Sequence, residues 1–460
     1  MISKLQTYFI ETWGCPMNVH DSERLEEHLR RAGLSPAEDS GTADIVLLNT
    51  CAVREKPVQK IHNRILQLAG QEDPPAIAVC GCVAQQEGEA LLARSPQVAL
   101  VLGPRKIERL PELLERVAAG ERLVAAGFED DPPAQPHLGY RASPFRGFVT
   151  VTEGCDEFCT FCVVPYTRGR EASRPSRAIL SEVVHLDAAG FSEVVLLGQT
   201  INSYRCPETG MGFAALLDAV ASRREIPRIR FLTSHPRHFD DPLIETIARH
   251  ANLSRYLHLP FQAGSDAILA RMKRRYTRDE YLALIERIRR AVPDANLSTD
   301  VIVGFPGETE ADFLQTLDLL ETVRFGQVFA FAFSPRPRTP AARYADAVPA
   351  EVKRERLHQL FELTGRIERE LNETLVGSIQ DVLIEGESRR SADEWQGRGE
   401  DSRVVNFPKA GDDRPGDIVP VRITAAAAHS LHGEREPGPA RHRCPERPAD
   451  APRAALPVAG

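Results

Sequence analysis

Cys155, Cys159 and Cys162 stand at Cys-x3-Cys-x2-Cys spacing in the run Gly154-Cys155-Asp156-Glu157-Phe158-Cys159-Thr160-Phe161-Cys162. Three thiolates this close can hold three irons of a [4Fe–4S] cluster and leave the fourth iron open to a small molecule. A structural zinc site would need a fourth Cys or His to close its tetrahedron. The nearest candidate after Cys162 is His185, a whole helix away. Disulfides are disfavoured, because the N-terminus from Met1 to Cys15 has no apolar run suited to export.

A second set of thiols is spread along the first hundred residues. Thr7 to Thr12 reads as a strand running into Trp13-Gly14-Cys15, Ala43 to Asn49 as a buried strand running into Thr50-Cys51, and Ala76 to Val79 as another running into Cys80-Gly81-Cys82. Each strand delivers a cysteine just past its C-terminal end, the edge of a parallel α/β sheet where ligands bind. Cys15, Cys51 and Cys82 are therefore expected to ligate a second cluster. Cys80 ends its strand run and is expected to pack as a small apolar residue.

Elements must position these groups. Asp21-Ser22 is expected to cap a helix bearing Leu25 and Leu29, with Gly33 at its end. At 460 residues the chain suggests two or three domains, and 42% hydrophobic with 27% charged residues fits a soluble protein with substantial cores. With nine cysteines and no export segment, the cytoplasm is the expected compartment. The boundaries expected are an N-terminal α/β domain over 5–122, a linker over 123–145, a second domain over 146–373, a small β domain over 376–436 and a tail over 437–460. The tail is rich in Pro, Ala and Arg, reads as disordered and contains Cys444, which is not expected to be a ligand.

The second domain repeats strand and helix. Strands are expected over Phe148–Thr152, Glu193–Leu197, Arg228–Leu232, Tyr256–Leu259, Leu297–Val303 and Gln327–Phe333, and a helix over Asp279–Ala291. About six βα units suggest a partial relative of the eightfold barrel, reactive at the C-terminal rim of its strands. The cysteine triplet follows the first strand. Later rim positions carry Gly198-Gln199, Thr233-Ser234-His235-Pro236, Pro260 to Ser265 and Asp300 to Glu308, where glycines allow close backbone approach. His235 and His258 read as framework histidines. Ser378–Ile384, Val404–Phe407 and Asp417–Ile423 read as strands of a small β-barrel.

A net charge of −8 argues against wholesale coating of nucleic acid, and the β-barrel segment Thr374 to Glu434 holds 7 basic and 11 acidic residues. Three basic runs near the predicted rim still suit a polyanion: Arg168, Arg170, Arg174 and Arg177; Arg271 to Arg275; and Arg336, Arg338 and Arg343.

The triplet and its surroundings resemble the radical S-adenosylmethionine (SAM) enzymes. A three-cysteine domain, such a core and a terminal TRAM β-barrel, in that order, resemble the methylthiotransferases over about residues 5 to 434. The runs Thr12 to Asn18, Asn49 to Lys56, Gly81 to Gln85, Ser173-Arg174-Pro175 and Gly304 to Thr309 look most like the branch acting on N6-isopentenyladenosine beside the anticodon of tRNA. Asp156 stands where that family usually has Asn, Thr200 where Asn is common, Ala263 where Ser is common, and Glu400-Asp401-Ser402 interrupts a stretch usually richer in Asn.

The resemblance implies an α/β fold: a Rossmann-like N-terminal domain, a partial (βα)6 TIM-like radical SAM barrel and a TRAM barrel. It implies two [4Fe–4S] clusters, with SAM near Gly198, Gln199, Ser234, Asp300 and Gly304. A SAM-derived radical would take the C2 hydrogen, and a methylated sulfur from the second cluster would be transferred in its place. No acid–base side chain is required. The implied partners are tRNA and a donor such as flavodoxin or ferredoxin, with no membrane and a monomeric state. The rivals are methylthiolation of a ribosomal-protein aspartate or of threonylcarbamoyladenosine in tRNA, and, as a non-enzyme, a two-cluster electron carrier or scaffold.

Overall fold

The computed structural model describes residues 5–52, 55–128, 137–223 and 225–441, so Cys444 and most of the tail lie outside the described residues. Ile45, Val46, Leu47 and Leu48 are all fully buried, as expected of a central parallel strand covered on both faces. They belong to a sheet of β1 (Thr7–Trp13), β2 (Ser35–Pro36), β3 (Ile45–Thr50), β4 (Ala76–Gly81), β5 (Val98–Leu102) and β6 (Leu123–Ala125). All pairings are parallel, in the order β2-β1-β3-β4-β5-β6. The chain runs outward from β1 to β2 and returns across to β3. A crevice therefore opens between β1 and β3 at their carboxyl ends, the ligand position of doubly wound sheets. One face is sealed by Leu25, Leu29, Ile107 and Leu110, the other by Ile61, Ile65, Leu68 and Leu91.

Two details differ from the sequence reading. The first helix spans Pro16–Arg31 and begins directly after Cys15, not at Asp21-Ser22. Pro16, its φ already helical and its missing N–H no loss in the first turn, starts the helix, so Asp21 lies inside it and is buried. Leu123–Ala125, expected in the linker, adds an edge strand because Leu100 to Leu102 still offer an unpaired backbone edge.

The central domain is built on β7 (Arg146–Thr150), a short antiparallel pair β8 (Thr152–Glu153) and β9 (Ala172–Ser173), and then β10 (Glu193–Leu197), β11 (Arg228–Phe231), β12 (Tyr256–His258), β13 (Asn296–Val303) and β14 (Gln327–Ala332). Six of these form two parallel groups, β11-β10-β7 and β12-β13-β14, the partial barrel expected. Along β13, Leu297, Val301 and Val303 pack into the helix-facing core, while Asp300 and Ile302 on the alternate face are only half-buried. The helix Arg278–Ala291 starts with a capping box between Thr277 and Glu280.

The last domain is a closed barrel of β15 (Ile379–Glu387), β16 (Glu394–Arg398), β17 (Val404–Pro408), β18 (Ile418–Ala426) and β19 (Leu431–Arg435), ordered β15-β16-β17-β19-β18. Its acidic turn is spent on docking. Ser254 Oγ donates to the Glu400 carbonyl at 2.6 Å and Asn296 Nδ2 to the Asp401 carbonyl at 2.8 Å. Arg146 joins Glu193 of the central barrel to Glu385 of the small one. Among the described residues, no helix is long and apolar enough to cross a membrane.

Candidate metal centres

The register of the first sheet pairs Trp13 with Thr50 and Thr50 with Gly81. Three adjacent strands thus end level, and Cys15, Cys51 and Cys82 follow within one or two residues. The Cys51 side chain hydrogen-bonds the Cys15 thiol, and with help from the Arg168 charge this brings Cys15 down to about 6 against the cost of desolvation. Burial pushes the Cys82 thiol up, opposed by Arg168, which also hydrogen-bonds it. Asn49 braces the floor, its amide donating to the Asn18 carbonyl and to Ser22 Oγ, both at 2.8 Å. Cys80 lies on the opposite face of β4 in the apolar cluster with Leu25 and Leu100, and burial pushes its thiol up.

Backbone contacts fold the second set. The Cys155 amide donates to the Gly169 carbonyl at 3.1 Å and the Cys162 amide to the Cys159 carbonyl at 3.0 Å. Thr160 sits at the turn. It donates from its amide to the Met272 carbonyl at 3.0 Å and from Oγ1 to the Arg271 carbonyl at 2.9 Å, and accepts the Ala341 amide at 2.9 Å. Thr200 Oγ1 lies 3.2 Å from Cys155 Sγ, and Arg274 Nη1 donates to Cys159 Sγ at 3.5 Å. Burial pushes the Cys162 thiol up to about 12. A metal cluster bound there would supply the positive charge that stabilises each thiolate.

Adjacent residues touch both sets. Gly169 holds the Cys155 amide, while Arg168, fully buried, pairs with Asp21 and reaches Cys82. Arg168 and Gly169 therefore link the two cysteine sets across the seam between the first and second domains. Arg141 adds ion pairs to Glu23 at 3.4 Å and Glu182 at 2.9 Å across the same seam.

Among the described residues, several buried polar atoms near the Cys155 loop have no hydrogen-bond partner: Thr152 Oγ1, His235 Nε2 and Glu157 Oε2, the last with Arg237 at ion-pair distance, 3.9 Å. Glu157 Oε1 is 2.6 Å from His238 Nε2, and that bond holds the carboxyl at about 2. A carboxylate oxygen, a hydroxyl and an imidazole left open beside three thiols fit a cofactor with amino, carboxyl and ribose groups. Ligand atoms of Glu157, His235 and His238 come within 4.8 Å of one another, which would also suit a metal ion. His235 Nδ1, however, accepts the Arg237 amide at 3.2 Å, so the ring proton resides on Nε2. That makes the open nitrogen a donor. His235 is thus more than the framework residue expected, whereas His258 is satisfied by Ser298 at 2.9 Å and Asp300 at 3.3 Å.

Of the expected SAM-contact positions, Gln199 takes the Gly154 amide hydrogen bond, and Gly198 lies so close to Thr152 Oγ1 that a side chain would collide with it. Ser234 is buried beside His235. Asp300 lies on the half-buried face of β13 opposite His258, and the Gly304 amide donates to Glu308 Oε2 at 2.6 Å. Ile302, between them, shares an apolar cluster with Phe161 of the cysteine loop. Glu157 escaped the sequence reading, where its position between two cysteines was the available signal, and Arg274 entered it only as one member of a basic run.

The basic runs divide. Arg168 and Arg174 are buried against Asp21 and Glu182, and Arg170, Arg177 and Arg271 pair with Asp156, Glu208 and Asp346. Lys273, Arg275, Arg338 and Arg343 are exposed and have no ion pair among the described residues. They flank Met272 and Ala341, whose backbones clamp Thr160, so the open positive charge lies around the Cys155 loop.

Residues 7–103 match the model of the uncharacterised protein family UPF0004, 149–320 that of the radical SAM superfamily and 373–435 that of the TRAM domain. A tRNA-2-methylthio-N(6)-dimethylallyladenosine synthase of Geotalea uraniireducens is 48% identical over 93% of this chain and 98% of its own length. One from Alkalilimnicola ehrlichii is 46% identical over 93% of this chain and 96% of its own. The chain belongs to this synthase family. Among solved structures, the radical SAM methyltransferase TsrM of Kitasatospora setae superposes with a TM-score of 0.56 at 16% identity, covering 82% of this chain and 78% of its own, a likeness of fold.

Proposed function

We propose that this chain methylthiolates C2 of N6-isopentenyladenosine next to the anticodon in tRNA, with one [4Fe–4S] cluster on Cys155, Cys159 and Cys162 and another on Cys15, Cys51 and Cys82. The observation that carries the reading is the pair Arg168–Gly169, adjacent residues that contact both triplets. The C2 hydrogen is neither acidic nor hydridic, so a positioned base would achieve little; the cluster and SAM, when bound, supply the one-electron chemistry that breaks such a bond.

The chain's own residues position and shield. Gln199 fixes the backbone ahead of Cys155, Glu157 and His235 present an acceptor and a donor to SAM, and Asp300 with His258 lines the half-buried face of β13. Lys273, Arg275, Arg338 and Arg343 meet tRNA phosphates around the opening. This free positive charge supports an RNA substrate over a ribosomal-protein aspartate. The enzyme acts as a cytoplasmic monomer reduced by a flavodoxin or ferredoxin.

The test is anaerobic turnover of reconstituted protein with dithionite, SAM and tRNA bearing isopentenyladenosine, with nucleosides read by mass spectrometry. Gain of one methylthio group on that nucleoside is expected. 5′-Deoxyadenosine without modified tRNA would overturn the substrate, and neither product from fully loaded protein would overturn the enzyme reading.

A further inference from the structure

Arg274 is buried without a carboxylate. Its Nε donates to the Tyr276 hydroxyl at 3.0 Å, its Nη2 to the Pro260 carbonyl at 2.7 Å and its Nη1 to Cys159 Sγ at 3.5 Å, and only 5% of the residue is exposed. Its guanidinium also lies 5.2 Å from the centroid of the Tyr276 ring. Arg168, Arg174 and Arg356 are equally buried, and each has an acid beside it: Asp21, Glu182 and Glu308. A buried cation costs several kcal/mol unless an anion answers it. Around Arg274, among the described residues, the group available to carry that negative charge is the Cys159 sulfur.

We propose that Arg274 is the counter-charge of the metal centre on Cys155, Cys159 and Cys162 and raises its reduction potential. The inference rests on the cluster reading above. A [4Fe–4S] core bearing three thiolates is anionic when oxidised and gains a further negative charge when it accepts one electron from dithionite or a reduced flavodoxin. That donor is oxidised, and no bond forms or breaks. A fixed positive charge against one thiolate sulfur, in a site shielded from water, favours the more negative, reduced state. The other centre differs in kind, because the charge of Arg168 is already answered by Asp21. The geometry thus raises the potential at the SAM-binding centre without an equal effect at its neighbour.

The experiment is an EPR-monitored redox titration of the reconstituted full chain, following the reduced-cluster signal that shifts when SAM is added. In Arg274→Met the midpoint of that signal is expected to fall by at least tenfold in the reduction equilibrium, about 59 mV for one electron. Arg274→Lys is expected to keep the midpoint within a few-fold of wild type. Wild-type protein labelled with 15N-arginine is expected to show a weak 15N coupling to the SAM-responsive cluster, a measurement that does not depend on a variant folding. An unchanged midpoint in a fully loaded Arg274→Met protein, or no arginine coupling in the wild type, overturns the proposal. Loss of SAM affinity with the midpoint unmoved also overturns it, by making Arg274 a SAM contact. If no signal responds to SAM in wild type, it is the cysteine assignment that fails.

Discussion

Replacing Gly81 by Ala should empty one metal centre and spare the other. Gly81 has φ +85° and ψ −152°, a conformation essentially confined to glycine, and an added Cβ would sit 2.8 Å from the Thr50 carbonyl oxygen and closer still to Asn49 Oδ1. The backbone strain costs about 1–3 kcal/mol. Thr50 lies in a central strand and cannot yield, so Asn49 must move. Asn49 is fully buried, and its amide serves Asn18 and Ser22, so displacement leaves polar groups unsatisfied at about 1–3 kcal/mol each. The sum, about 3–9 kcal/mol, falls on the turn presenting Cys82 and lowers the population of the three-thiol arrangement by a factor of at least 100. The assay is iron and sulfide content after anaerobic reconstitution, with EPR and product analysis. Gly81→Ala is expected to hold about half the wild-type iron, to keep the SAM-responsive signal and to cleave SAM without methylthiolating tRNA. Gly154→Ala is the mirror case: φ is +81° and its Cβ would lie 2.5 Å from the Gly169 carbonyl, so the SAM response should vanish. A Gly81→Ala protein with full iron and wild-type product would refute the reasoning.

Three further outcomes are expected. Cys80→Ala should keep full iron and activity, at a cost of about 1 kcal/mol in urea unfolding for the lost apolar sulfur. A double Arg338→Gln/Arg343→Gln variant should bind tRNA more weakly at every sequence, and the slope of log affinity against log salt should shrink by about 1.5, read by filter binding. Burial alone would raise the Glu193 carboxyl, yet Arg146, Arg230 and Arg228 hold it at about 2, below its ordinary 4.5. Its contribution is therefore complete above pH 4.5 and lost as pH falls from there towards 2, and Glu193→Gln should flatten acid unfolding in that window while costing about 3–5 kcal/mol at neutral pH.

Much of this molecule is legible in the chain because its parallel strands are unbroken apolar runs. Glu193–Leu197 forms a strand with the bounds that the sequence reading gives it. The positions of Cys15, Cys51 and Cys82 at strand ends were readable for the same reason. β16 and β19 were not readable, because Gly397 and Gly433 dilute their strand character; both are glycine where a Cβ would strike Leu383 or Val421 on the neighbouring strand. The start of the first helix was misread because Asp21-Ser22 is a good cap in isolation, whereas Asp21 is needed as the buried partner of Arg168, 147 residues away. Arg274 was visible only as one basic residue in a run. Its meaning comes from Cys159, 115 residues earlier, and separation of that kind leaves no local pattern to read.

The shared backbone at Arg168 and Gly169 has a consequence for upkeep. Gly169 follows Arg168 directly, so a shift of the Gly169 carbonyl that follows Cys155 reaches the base of the Arg168 side chain, lodged against Asp21 and Cys82, through the one intervening Cα. Damage and repair at either centre are therefore mechanically audible at the other. A molecule lacking the cluster proposed on Cys15, Cys51 and Cys82 should hold the Cys155 loop more loosely, so a half-assembled enzyme differs in protease sensitivity at residues 155–170 from a complete one.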